Sequence, residues 1–287
     1  MKFASFRQHG STRLGVLTDD AVIDLSLAQP QVPADLGAAL WQGVDLHAAA
    51  NAALASGAAR IPLAGLEYAA PVTRPGKIIC LGLNYFDHAK EGGRDKPDYP
   101  WFFLRGATSL IAHGEAGIRP RVSERFDYEA ELAVVIGKRA RHLTQANALD
   151  CVFGYSCFND MSVRDYQKKT PQWTIGKNFD GTGGFGPVLV TADELPPGAV
   201  SLKIESRLNG QVMQSANTTD MIWGVAETIA LLTECLTLEP GDLIIMGTPA
   251  GVGQARTPPV WMKHGDTIDI EIERVGLLSN PIRDEAA

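Results

Sequence analysis

The sequence predicts a mixed fold, mostly β, with a small α+β unit at its N-terminus. Three observations carry that expectation. Short apolar runs recur after residue 77, as KIICLGL, ELAVVIG, FGPVLVT, SLKIESRLNG, DLIIMG and TIDIEIERVG. Helical periodicity after that point is confined to LTQANALDCV and MIWGVAETIALLTECL, where apolar residues share one face and Glu227 lies on the polar side. Strands and helices therefore do not alternate as a βαβ sheet would require.

Taken in order, MKFASFRQHGSTRLGVLTDDAVIDL reads as short antiparallel strands separated by the turn-prone HGS and DD. LGAALWQGVDLHAAANAALASGAAR is Ala-rich with spaced apolar positions and predicts one or two helices, closed by Gly57 and Pro62. IPLAGLEYAAPVTRPGK reads as a connection into the next strand. The expected division is a small N-terminal domain over 1–74 and a larger domain over 75–287. Within the latter, Asn209-Gly210 between SLKIESRL and QVMQS signals a tight hairpin.

Composition narrows the classes of function. The chain has 287 residues, 45% of them hydrophobic and 21% charged, with a formal net charge of −7 and no long basic block, so no nucleic-acid partner is expected. Cys80, Cys151, Cys157 and Cys235 lack paired metal-binding spacing and read as reduced structural thiols. MKFASFRQHG has no apolar core long enough for a secretory signal, and no segment reads as a membrane helix. The expected address is the cytoplasm, with no membrane partner. TPAGVGQAR contains a GxG but precedes a Pro-containing segment where a dinucleotide fold needs a helix, and GTGGFG lacks the Lys-Ser/Thr end of a phosphate loop.

The chemistry-bearing residues fall in four segments. In FDYEAELAVV, Glu129 and Glu131 are two apart on a strand and project to one side. Such a pair either lies on a hydrated strand face or, away from water, needs a proton or a cation between its members. GYSCFNDMSVRDYQ adds Asp160, a third oxygen donor suited with the first two to a hard ion such as Mg²⁺; the absence of Cys and His from the trio argues against structural zinc. WTIGKNFDGTGGFGP places Lys177 before a Gly-rich loop, where it either serves an acidic centre or is a surface lysine. LGLNYFDHAKEGG carries His88 and Glu91 on one face of a helical turn, an arrangement that can take a proton near neutral pH, although most such pairs are non-catalytic.

The ordered set GLNYFDHAKE, DYEAELAVVIGK, GYSCFNDMSVRDYQ, QWTIGKNFD and IIMGTPAGVG resembles the fumarylacetoacetate hydrolase family over roughly residues 75 to 283, with the N-terminal part similar to the extra domain of longer members. The resemblance implies a β-sandwich or roll assembled as a homodimer, and Mg²⁺ or Mn²⁺ held by Glu129, Glu131 and Asp160. It makes His88 and Glu91 the catalytic pair on a lid segment, with Lys177 beside metal and substrate. Tyr85, Arg105, Arg164, Gln167 and Thr248 are the implied substrate contacts. Arg105 stands where many relatives have lysine, and either grips a carboxylate bidentately or pairs with a neighbouring acid. Asn178-Phe179-Asp180 replaces a common Ser-Phe-Asp.

The implied partner is a small 2-oxo acid. The implied activity is hydrolysis of a C–C bond in a 2,4-diketo acid of acylpyruvate or fumarylpyruvate type, through water activated by His88 and Glu91 and a stabilised pyruvate enolate. The alternative at the same centre is oxaloacetate decarboxylation, or hydration or isomerisation of a 2-oxo-enoate, because one electron sink serves all of them.

Overall fold

The computed structural model describes residues 1–93 and 97–286. Most of the apolar runs pair into one sheet of twelve strands. Its main path runs Arg60–Pro62, Ala21–Asp24, Ser11–Leu17, Lys2–Gln8, Gly183–Thr191, Val152–Asp160, Ala130–Ile136, Leu243–Ile245, Ile78–Gly82 and Trp101–Arg105. A second sheet of five strands, Gln211–Asn217, Lys203–Leu208, Thr267–Ile272, Gly276–Asp284 and Gly117–Arg119, packs against it. The fold is thus mostly β, with helices in the N-terminal part and a further helix, Val225–Cys235, where MIWGVAETIALLTECL predicts one.

Central strands read as unbroken apolar runs because both of their faces are covered. In Ala130–Ile136, Leu132, Val134 and Ile136 enter a core shared with Ile204, Ile268 and Leu278 of the second sheet. Ala133 and Val135 enter another, shared with Leu36, Leu40 and Leu46 of the N-terminal helices. Those helices, Leu36–Trp41 and Leu46–Ala55, begin at Asp35 and Asp45, whose carboxylates accept from the Ala38 and Ala48 N–H groups at 2.8 and 2.9 Å. The N-terminal strands extend the main sheet, since Lys2–Gln8 pairs antiparallel with Gly183–Thr191. Residue 74 falls between Tyr68–Ala69 and Ile78–Gly82, in a segment without strand or helix.

Asn209 and Gly210 both take positive φ, 51° and 80°, and turn Lys203–Leu208 into Gln211–Asn217 as the sequence predicts. The expected helix over LTQANALDCV does not form. The Asn147 carboxamide accepts from both the backbone and the hydroxyl of Thr144, which fixes a turn, and only the single 3₁₀ turn Ala148–Cys151 precedes the next strand.

Two short helices frame the site, Arg164–Gln167 and Thr174–Lys177. They meet at Gly176, where a Cβ would stand 2.3 Å from the Gln167 nitrogen. Only glycine allows this approach, and it sets Lys177 beside the end of Val152–Asp160. Gly176→Ala is therefore expected to destabilise the protein by roughly 1–3 kcal/mol through overpacking. Urea unfolding checks this; an unchanged midpoint would show that the helices part freely.

Candidate active site and metal centre

Strand register assembles the acidic group. Glu131 lies opposite Phe158 in the antiparallel pair Ala130–Ile136 and Val152–Asp160, and the Asp160 N–H donates to the Glu129 carbonyl at 3.0 Å. Two residues along each strand restore the same face, so Glu129, Glu131 and Asp160 project together. One oxygen from each lies within 4.8 Å of the others, and the three residues are 5%, 1% and 0% exposed.

Cations reach this group from three elements. Lys177 Nζ bridges Glu129 Oε2 at 2.5 Å and Asp160 Oδ2 at 2.6 Å. Arg164 places Nη2 2.8 Å from Glu129 Oε1 and donates from Nε to Asp127 Oδ2 at 2.8 Å. Arg105 donates from Nη1 to Asp160 Oδ1 at 2.5 Å, from Nε to Ser109 and from Nη2 to Thr182. Glu131 has no ion pair of its own among the described residues; its Oε2 accepts from the Gly247 N–H at 2.5 Å.

Proton affinities follow this distribution. Burial alone would push Glu129 up, but Lys177, Arg164 and His88 hold its carboxyl down at about 2. Burial, then the charges of Asp160 and Glu129, push Glu131 well above the usual carboxylate range. Burial disfavours the Lys177 ammonium, yet Asp160 and Glu129 outweigh it and raise its pKa. Asp127, Glu129, Glu131 and Asp160 thus face Arg105, Arg164 and Lys177, and one buried acid is left without a counter-charge. The trio offers hard oxygen donors and a deficit of positive charge. Both features fit a divalent cation such as Mg²⁺.

A cavity of about 550 Å³ opens over Glu129 and Glu131. His88, Glu91, Arg164, Gln167, Lys177 and Thr248 all line it. His88 and Glu91 lie on the helix Phe86–Glu91, with Nδ1 3.4 Å from Glu91 Oε2. The Glu91 carboxylate also accepts from the Gly251 N–H at 3.0 and 3.2 Å, which ties this helix to the GTPAG loop. Gln167 Oε1 accepts from Arg164 Nη1 at 3.0 Å. Thr248 Oγ1 donates to the Ala130 carbonyl at 3.0 Å and accepts from Gln214 Nε2 at 2.7 Å.

Two expected substrate contacts lie elsewhere. Arg105 sits behind Asp160 with its guanidinium taken up by protein groups, so of the two uses open to it, pairing with a neighbouring acid is the one formed. Tyr85 is fully buried, its hydroxyl has no hydrogen-bond partner among the described residues, and it is absent from the cavity wall. Burial first, then the charges of Glu131 and Asp220, raise its pKa.

Sequence reasoning missed Asp127, Gln214 and Asn84. Asp127 accepts from the Gly253 and Gln254 N–H groups at 2.8 and 3.0 Å as well as from Arg164, joining strand, helix and loop. Its place two residues before Glu129 was the available signal. Gln214 accepts from the Ala130 N–H and the Ser206 hydroxyl while donating to Thr248 and the Pro249 carbonyl. The Asn84 carboxamide exchanges bonds with Trp223 and donates to the Met246 carbonyl, fixing the entry to the His88 helix. Neither carries a sequence pattern that distinguishes it from a surface amide.

Comparison with known proteins agrees with this geometry. The family model described as "Fumarylacetoacetate (FAA) hydrolase C-terminal" matches residues 77–283. The human mitochondrial oxaloacetate tautomerase FAHD2A is 39% identical over 263 residues, covering 91% of this chain and 83% of that protein. The fumarylacetoacetate hydrolase of Exiguobacterium antarcticum superposes with a TM-score of 0.86 at 36% identity, over 99% of this chain and 100% of that one. The maleylpyruvate hydrolase of Sphingobium sp. SYK-6, solved with manganese(II) and pyruvate, superposes with a TM-score of 0.83 at 31% identity over 100% of both chains.

The expected cytoplasmic address requires correction. Oxaloacetate tautomerases at 38–40% identity, from rat, cattle and human, are named as mitochondrial. Lack of a secretory signal or a membrane helix therefore does not point to the cytoplasm, because a matrix enzyme lacks both features too. Five motifs in order, a mostly β two-sheet fold, a buried trio of carboxylates and a family match over most of the chain lead to one conclusion: this protein belongs to the fumarylacetoacetate hydrolase family.

Proposed function

We propose that the protein is a metal-dependent isomerase that interconverts the keto and enol forms of a 2-oxo dicarboxylic acid, of which oxaloacetate is the four-carbon member. The observation that carries this reading is the placement of His88 on the wall of a cavity floored by Glu129 and Glu131, two members of the buried carboxylate trio. Relatives named oxaloacetate tautomerase, 38–40% identical over 91% of this chain, support the reaction type.

Keto–enol exchange needs a base at C3, stabilisation of negative charge on the 2-oxo oxygen and exclusion of competing water. In this reading His88 takes the C3 proton, and return of a proton to the 2-oxo oxygen gives the enol; the reverse transfers restore the ketone. A divalent ion held by Glu129, Glu131 and Asp160 would supply Lewis-acid stabilisation of that oxygen. Lys177, kept charged by two carboxylates, adds to the positive field at the floor. Gln167, Thr248 and Arg164 line the cavity that would receive the acid, whereas Arg105 and Tyr85 lie behind its wall.

C–C hydrolysis of a diketo acid requires Glu91 to make His88 a strong base toward water. Abstraction of a C3 proton makes a comparable demand on His88, and Glu91, 3.4 Å from Nδ1 and shared with the Gly251 N–H, can orient the ring for either reaction; the relatives named oxaloacetate tautomerase favour isomerisation. The manganese and pyruvate in the SYK-6 maleylpyruvate hydrolase keep hydrolysis as the second reading. Exchange of the C3 protons of oxaloacetate into D₂O, followed by NMR beside pyruvate release from acetylpyruvate, separates the two. The expected result is Mg²⁺-dependent exchange without chain shortening, lowered roughly 10²–10⁴-fold in His88→Ala. Stoichiometric pyruvate release from acetylpyruvate would replace this reading with hydrolysis.

Metal binding should expel the proton that burial and neighbouring charges hold on Glu131. Because that pKa is raised, a proton competes with the metal for Glu131 to higher pH than for an ordinary carboxylate and is lost as pH rises, so Mg²⁺ affinity should increase with pH. Calorimetry in buffers of different ionisation enthalpy reads the released proton, and Glu131→Gln should abolish the release. We also infer a homodimer. The strand Trp101–Arg105 ends the main sheet with Leu104 54% exposed, and Ile175 is 58% exposed. Light scattering at twice the 30.8 kDa chain mass is expected.

A further inference from the structure

The cavity wall carries four basic side chains, His88, Arg164, Lys168 and Lys177. Three are engaged by protein carboxylates. Arg164 spans Asp127 and Glu129, Lys177 bridges Glu129 and Asp160, and His88 faces Glu91. Lys168, which follows directly on the helix Arg164–Gln167, makes no ion pair or side-chain hydrogen bond with any described residue. Its neighbour is committed elsewhere: Lys169 Nζ stands 3.3 Å from the centroid of the Tyr166 ring. The free positive charge of the wall is therefore that of Lys168.

A second group on the same wall lacks a partner. Gln254 lines the cavity, and its backbone N–H is held by Asp127 at 3.0 Å. Its side-chain Oε1 is buried and makes no hydrogen bond among the described residues. A buried amide end without a partner is unfavourable unless a ligand or water satisfies it. Both residues connect to the metal carboxylates through Arg164. From Glu129 the contacts run to Arg164, then through Gln167 to the chain position of Lys168, or through Asp127 to Gln254.

We propose that Lys168 and Gln254 form a distal subsite that selects acids carrying a second carboxylate remote from the 2-oxo end. The ammonium pairs with that carboxylate, and the carboxamide, whose two ends exchange by rotation, donates its N–H to it. An acid whose 2-oxo end were held by a divalent ion on Glu129, Glu131 and Asp160 would have no other free cation to meet on the described wall. The inference rests on the proposed binding of a 2-oxo acid at that centre, and it deepens that reading by naming the residues that read the far end.

Matched acids test it. 2-Oxoglutarate against 2-oxopentanoate, and 2-oxoadipate against 2-oxohexanoate, differ within each pair by the terminal carboxylate. Their affinities are measured by calorimetry with Mg²⁺ present, and C3 proton exchange is followed separately by NMR. The wild type should bind the diacid of a pair about tenfold more tightly. Lys168→Met should erase that preference and leave monoacid affinity within about twofold, with Lys168→Arg retaining most of it. Gln254→Leu should reduce the preference without weakening the monoacid. Equal loss for both members of a pair in Lys168→Met, or an unchanged ratio, would overturn the subsite. Diacid preference that Lys168→Met removes, in a protein that exchanges no C3 proton, would defeat the isomerase reading and leave the subsite standing. Exchange without any diacid preference would do the reverse.

Discussion

Glu129, Glu131 and Asp160 are carboxylates almost without access to water, and the structure around them is arranged to make that tolerable. Burying one ionised acid in a protein interior is strongly unfavourable, and burying three within 4.8 Å of one another compounds desolvation with repulsion. The register of two antiparallel strands forces them together, since the residues before and after each acid are committed to packed cores. A one-residue slip would send the acids into the opposite core. The chemistry and the hydrophobic pattern therefore share a single constraint.

Compensation comes from elements distant in sequence. Arg105 arrives from the strand at the end of the sheet, Arg164 from the turn after Asp160, and Lys177 from a helix that packs at Gly176. Glu129 and Asp160 are each held by two of these cations, with Lys177 common to both, so removal of Lys177 would leave each buried carboxylate with a single partner. Glu131 alone lacks such a cation and keeps a raised proton affinity. The centre is thereby one positive partner short, which is the condition a divalent cation satisfies.

The wall opposite this floor is held by backbone as much as by side chains. The Gly251 N–H ties Glu91 and with it the helix of His88, while Asp127 gathers the next turn of the same loop through Gly253 and Gln254. Loop and helix are therefore tied to the strand that bears the acids, and His88 stands on the cavity wall without being part of the acidic group.

Much of this was legible in the sequence. Alternation in FDYEAELAVV put Glu129 and Glu131 on one face, Asn-Gly fixed a hairpin, and the spacing of His88 and Glu91 placed both on one helical turn, because these are local consequences of backbone geometry. The helix expected over LTQANALDCV failed because a side chain of the same segment captured the backbone first. What the tertiary structure alone decided is which charge meets which: that Arg105 backs Asp160 while Arg164 and Lys177 are consumed by Glu129, that Asp127 and Gln214 hold the site, and that Lys168 has no ion pair among the described residues. Periodicity reports the direction a side chain takes from its own strand or helix. Partners contributed by chain segments 17 residues away, as Lys177 is from Asp160, to 160 residues away, as Gly251 is from Glu91, depend on packing, and packing has no local signature.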